Sequence, residues 1–183
     1  MPPLVDLSSI PHSDPEIGLL LALLSNTTRE WREYLGAVPP GLIVRQLHPN
    51  AHSIGALLLH IADVEGYWLH EAIEGQARPP EAVAALLSDE TDQYNGLWPA
   101  PPAEPLEWYY ALLDDVRAQT MLLAQTLLHA DQVLTHPTRP DKTYTARWLL
   151  GHVIAHEAYH GGQAVLLSLM PAPPSAPPAP IIT

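Results

Sequence analysis

Leu149-Leu150-Gly151-His152-Val153-Ile154-Ala155-His156-Glu157-Ala158-Tyr159-His160-Gly161-Gly162-Gln163-Ala164-Val165-Leu166-Leu167-Ser168-Leu169-Met170 is the stretch that decides the fold. Within it Leu149, Val153, His156, His160, Gln163, Leu167 and Met170 recur in steps of 4-3-4-3-4-3, the inward seam of a bundled helix. Two successive seam positions carry imidazoles where leucine is the default. Burying both destabilises a core unless something offsets their desolvation, and a shared metal ion does so. Residues four apart on a helix are neighbours, so His156 and His160 can reach one ion. His152, a turn earlier, lies to one side of the seam at about 100° per residue and reads as a rim residue supporting the ligands.

Outward from this helix, proline sets the boundaries, because it removes a donor and clashes with the preceding helical turn. The 21 prolines cluster at 2–15, 39–49, 79–80, 99–105, 137–140 and 171–180, leaving proline-free stretches at 16–38, 50–78, 81–98, 106–136 and 141–170. Helical spacing joins Ile17, Leu20, Leu21, Leu24 and Trp31 in the first. It joins Ile54, Leu57, Leu58, Ile61, Val64, Trp68 and Leu69 in the second, with Ser53 as N-cap. A third helix starts at Pro105, a residue suited to a first turn, and runs through Tyr109, Leu112, Leu113, Val116, Leu123, Leu127 and Leu134. The last spans about Thr145 to Met170. Residues 81–98 read as a short helix and then a loop, broken at Tyr94-Asn95-Gly96. No stretch has the period-two alternation of a strand. The expected fold is all-α: a four-helix bundle over 14–170 with long crossovers near 37–52 and 79–104. An N-terminal extension (1–13) is expected to pack poorly, and a Pro/Ala-rich tail (171–183) to be extended and disordered.

Composition narrows the function. The 183 residues are the length of one domain, and 47% apolar content is enough for a core. Eight Lys plus Arg against twenty Asp plus Glu give −12, which leaves no basic face for nucleic acid. With no cysteine, disulfides, thiolate metal sites and cysteine nucleophiles are excluded, so histidine and carboxylate are the metal-capable side chains. No apolar run reaches the roughly 18 residues that span a membrane. The N-terminus lacks a signal peptide's basic start and apolar stretch, so the expected location is cytoplasmic.

Two ligands are not a site, and no Asp, Glu or His follows His160. On the second helix His60 sits beside Leu57 and Val64 at the edge of the apolar stripe. Together, His60, His156 and His160 supply three neutral nitrogens and leave positions open for water or substrate, a catalytic rather than a closed structural pattern. The other histidines outside the last helix (His12, His48, His52, His70, His129 and His136) read as solvated or capping. Glu65 faces inward, to orient an imidazole or pair with an arginine such as Arg147, or else lies at an exposed edge. Glu157, about 80° off the seam, reads as a solvated or interhelical carboxylate, with a supporting role beside the ligands as Gln163 has. Tyr67 and Tyr159 are candidate proton donors, with quiet packing as the other reading. Leu150, Ile154 and Val165 form an apolar flank with room for a partner, such as a second copy.

His156-Glu157-Ala158-Tyr159-His160 spells HExxH, but zinc proteases of that type take a third ligand downstream, where none exists, and no strand is expected to hold a peptide. Glu157-x-x-His160 is half of a carboxylate-bridged di-iron site whose second copy is missing. Gly161-Gly162-Gln163 echoes a release-factor tripeptide, yet the glycines more simply permit close helix approach.

Taken together, Ser53-Ile54-Gly55-Ala56-Leu57-Leu58-Leu59-His60-Ile61-Ala62, Glu65-x-Tyr67-Trp68 and His152-x-x-x-His156-Glu157-x-x-His160-x-Gly162-Gln163 resemble the DinB/YfiT-like superfamily over roughly 14–170. The resemblance implies a metal-binding four-helix bundle with a divalent cation at His60, His156 and His160, often dimeric. Some members of that superfamily are thiol S-transferases using bacillithiol or mycothiol, and others are metal-dependent hydrolases or isomerases. The chain departs from the common pattern with Tyr159 in place of a further histidine and Gly161 in place of arginine. The expected function is therefore a metal-dependent thiol S-transferase or hydrolase acting on a small electrophile. Three imidazoles can hold a cation that binds a thiolate or lowers the pKa of water to about 7. Zinc is the first expectation for that cation, with nickel or iron as alternatives. The competing reading is a non-catalytic, metal-binding stress-associated or interaction protein.

Overall fold

In the computed structural model, which describes residue 4 and residues 6–170, the chain is mostly helical. The expected tail lies outside the described residues. Helix α1 (Pro15–Leu35) opens with Asp14, whose carboxylate accepts the amides of Glu16 and Ile17 at 2.7 and 3.3 Å. It closes on Gly36 at φ 59°, where a side chain would be strained. A one-turn helix α2 (Pro40–Ile43) lies in the first crossover. Helix α3 (Ile54–Glu65), capped by Ser53, continues through a π-helical turn at Gly66–His70 into α4 (Glu71–Glu74). The second crossover carries the short α5 (Pro80–Ala85) and a 3-10 turn at Ser88–Glu90. Beyond it come α6 (Leu106–Ala124) and α7 (Ala146–Leu169), the latter capped by the Thr145 hydroxyl.

The third helix stops at Ala124 rather than continuing to Leu134. A two-stranded antiparallel hairpin follows, β1 (Val133–Thr135) against β2 (Thr143–Thr145), in the register Leu134↔Tyr144. Strands of three residues are too short to show alternation, which is why none was expected. The N-terminal extension is better packed than expected where it is described: Ile10 packs against the core and His12 Nε2 lies 3.1 Å from the Ala124 carbonyl oxygen.

α7 packs against both α1 and α3, and α3 against α6. Two apolar clusters result. One gathers Ile43, Leu57, Ile61, Trp98 and Leu113; the other gathers Ile17, Leu24, Leu127, Leu149 and Val153. Leu150, expected on a free flank, is fully buried in the second cluster, and Ile154 and Val165 are partly covered. With helices on two sides, the buried arc of α7 is wider than a single seam. It takes in Glu157, Gly161 and Ala164, and Met170 is exposed.

Candidate metal centre

His60 on α3 and His156 and His160 on α7 come together. One ring nitrogen from each lies within 4.8 Å of the others, the only such cluster of potential ligands among the described residues. His60 Nε2 and His156 Nε2 face each other at 3.2 Å. Zinc–imidazole bonds of about 2.0–2.1 Å in tetrahedral geometry put ligand nitrogens about 3.3 Å apart, so that spacing suits a shared ion. His60 Nδ1 is buried with no hydrogen-bond partner among the described residues. His160 Nδ1 lies 2.7 Å from Gln163 Oε1; the amide oxygen only accepts, so Nδ1 carries the proton and Nε2 keeps its lone pair.

The electrostatics favour neutral rings. Burial, and then the neighbouring His160 and His60, push His156 down to about 2. Burial and His60 push His160 down to about 4, against the opposing pull of Gln163. Burial also lowers His60. Neutral imidazole is the form that binds metal, so the donor set fits a divalent cation.

A cavity of about 610 Å³ opens from this trio, with His60 and His156 in its wall. The π turn and the hairpin build its far side. His136 is fully buried, and its Nε2 donates to the Tyr67 carbonyl at 2.7 Å. Its Nδ1 therefore accepts from the Thr138 hydroxyl at 3.0 Å. The Tyr67 hydroxyl in turn donates to Thr138 Oγ1 at 2.8 Å and accepts from Arg139 Nε at 2.9 Å. Tyr67 is thus fixed at the cavity, whereas Tyr159 is largely exposed and packs its edge near His160. His152 also lines the cavity, stacked on Trp148 with ring centres 4.8 Å apart.

The two inward acids lie elsewhere. Glu65 is not paired with Arg147, which is half exposed and binds Glu16 and Asp131. Glu65 takes both ends of a fork from Arg117 on α6, each at 2.8 Å, and touches no ligand imidazole. Glu157 is 1% exposed rather than solvated. It accepts from Arg117 Nη2 at 2.9 Å, from Thr28 Oγ1 at 2.6 Å and from Trp31 Nε1 at 3.0 Å. Arg117 is not among the candidates that the motifs single out, yet the sequence carries its signal: Leu113, Arg117, Thr120 and Ala124 are spaced 4-3-4, putting a cation on an inward seam. His70, read as solvated or capping, is buried beside this cluster with Nε2 2.9 Å from Thr120 Oγ1.

A family model described as mycothiol-S-transferase matches residues 19–167. The chain belongs to this family. The family is part of the DinB/YfiT-like superfamily that the motifs resemble. No curated protein matches the chain. In this mycothiol-S-transferase family member, the departure at Gly161 has a local cause. A Cβ there would stand 2.5 Å from the Trp31 ring, so the glycine lets the indole lie against α7 and reach Glu157. Gly162 has open space around it and plays no such part.

Proposed function

We propose that the protein is a metal-dependent S-transferase that joins a low-molecular-weight thiol of the mycothiol type to a small electrophile, on a four-helix bundle of α1, α3–α4, α6 and α7. His60, His156 and His160 would hold the cation, with zinc ahead of nickel or iron on coordination grounds. A cation bound there supplies Lewis acidity that favours the deprotonated form of a thiol. The transfer forms one sulfur–carbon bond and breaks the bond from that carbon to its leaving group, which departs with the electron pair. The thiol proton passes to solvent.

The observation that carries this reading is the cavity. Its 610 Å³ lies within the range of small-molecule sites and is continuous with two of the three imidazoles. A purely metal-storing or interaction protein has no need of a substrate-sized space at its ligands. Asp89, Asp92, Gln93 and Arg139 give the walls polar groups for the body of a thiol, while Val64, Trp68 and Val83 give apolar surface for an electrophile.

The test is conjugation by metal-loaded and chelator-stripped protein, using mycothiol, bacillithiol and glutathione against haloaromatic and epoxide electrophiles. The expected result is a thioether product whose rate rises with metal and is highest with mycothiol. Rates equal to the uncatalysed reaction across the panel would contradict the reading.

A further inference from the structure

We propose that the buried Glu65–Arg117–Glu157 cluster is a positioning device that sets the rotation of α7 and so the convergence of the three imidazoles. The inference rests on the reading of the trio as a metal site.

The cluster ties all four long helices together at one level. Thr28 and Trp31 come from α1, Glu65 from α3, Arg117 and Thr120 from α6, and Glu157 from α7. Arg117 uses every face of its guanidinium: Nε and Nη2 on Glu65, Nη2 also on Glu157, and Nη1 on Thr28 Oγ1 at 2.9 Å. Thr120 donates to Glu65 Oε1 at 2.6 Å. The side chains of Glu65 and Glu157 are each 1% exposed. Burial disfavours the Arg117 cation, but the two carboxylates outweigh it and raise its pKa.

Glu157 immediately follows His156 and precedes His160 by three residues. Fixing it from α1 and α6 therefore fixes the segment of α7 that bears both ligands. Apolar packing against α1 and α3 holds α7 in place, and these bonds add directional constraints from α1 and α6 at the level of the ligands. The precision needed is high. Side-chain tips stand about 5–6 Å from a helix axis, so a rotation of about 10° moves an imidazole tip by about 1 Å. Productive sites tolerate only about 0.5 Å. Directional bonds to a buried carboxylate, added to the packing of α7, help to hold that tolerance.

A buried ion cluster can often be replaced as a unit by apolar residues without loss of stability, and this separates positioning from folding. The triple variant Glu65→Leu/Arg117→Met/Glu157→Leu removes all three charges and leaves none unpaired. In full-length protein, the expected result is apo thermal stability close to wild type. Zn²⁺ affinity, read by competition with a chromophoric chelator, should fall by about 10-fold, the lower end of the loss for groups bonded directly to a metal ligand, because this cluster acts through the backbone of α7. The visible spectrum of the Co²⁺-loaded variant should also weaken and shift. Wild-type Zn²⁺ affinity and an unchanged Co²⁺ spectrum in a folded triple variant would overturn the proposal. If the triple variant does not fold, Thr28→Val decides by the same two readouts: it removes the hydroxyl bridging Arg117 and Glu157 and keeps the side-chain shape. Failure of wild-type protein to take up Zn²⁺ would instead sink the metal reading, and this proposal with it.

Discussion

At His156 burial and three neighbouring imidazoles act in one direction, holding the ring neutral down to about pH 2, and His160 stays neutral down to about pH 4. Both folded-state values lie below the ordinary 6.5, so the unfolded chain binds more protons once the pH falls past that value. The stability from these rings is full above about pH 6.5 and drains away as the pH falls, at about 1.4 kcal/mol per unit per ring. Urea denaturation of metal-free protein should show a loss of about 2 kcal/mol or more between about pH 7.5 and 5.5. A flat profile across that window would show that the rings are not buried together. At this scale the convergence of the three histidines was legible, because imidazoles on a leucine seam are conspicuous. Arg117 was not, although it occupies an equally conspicuous seam on α6. A single cation acquires meaning only when the acids facing it are known, and Glu65 and Glu157 lie 52 and 40 residues away.

Among the elements, α7 does the most to build the site, and its contact with α1 is the most extensive between described elements. Gly161→Ala would push a methyl group into Trp31 at 2.5 Å and loosen the indole bond to Glu157. Overpacking of this kind costs about 1–3 kcal/mol, a loss that urea titration would detect, whereas Gly162→Ala, exposed and in open space within α7, should stabilise by about 0.5–1 kcal/mol. Equal effects of the two substitutions would contradict the packing described. Prolines made the long helices easy to delimit, since α3, α6 and α7 each fall within one proline-free stretch and α1 carries proline only at its first residue, Pro15. The hairpin and the π turn were hidden for opposite reasons. Three-residue strands leave no pattern, and the π turn keeps a helical pattern while adding a residue to one turn. That extra residue shifts the phase at Tyr67 and Trp68 and brings both to the cavity wall.

Across the whole molecule, a polar layer separates two apolar clusters and meets the helices that carry the imidazoles. No described helix is long and apolar enough to cross a membrane. The proposed function has one physical requirement: histidines from two helices, brought within 4.8 Å of one another beside the cavity, must hold the same ion. Elemental analysis of protein purified without an affinity tag tests this most directly, with wild type set against His60→Ala. The account predicts close to one divalent ion per wild-type chain, a Zn²⁺-induced rise in melting temperature, and loss of both in the variant. Wild-type protein without bound metal or Zn²⁺ stabilisation, or equal metal content in the two proteins, would contradict it.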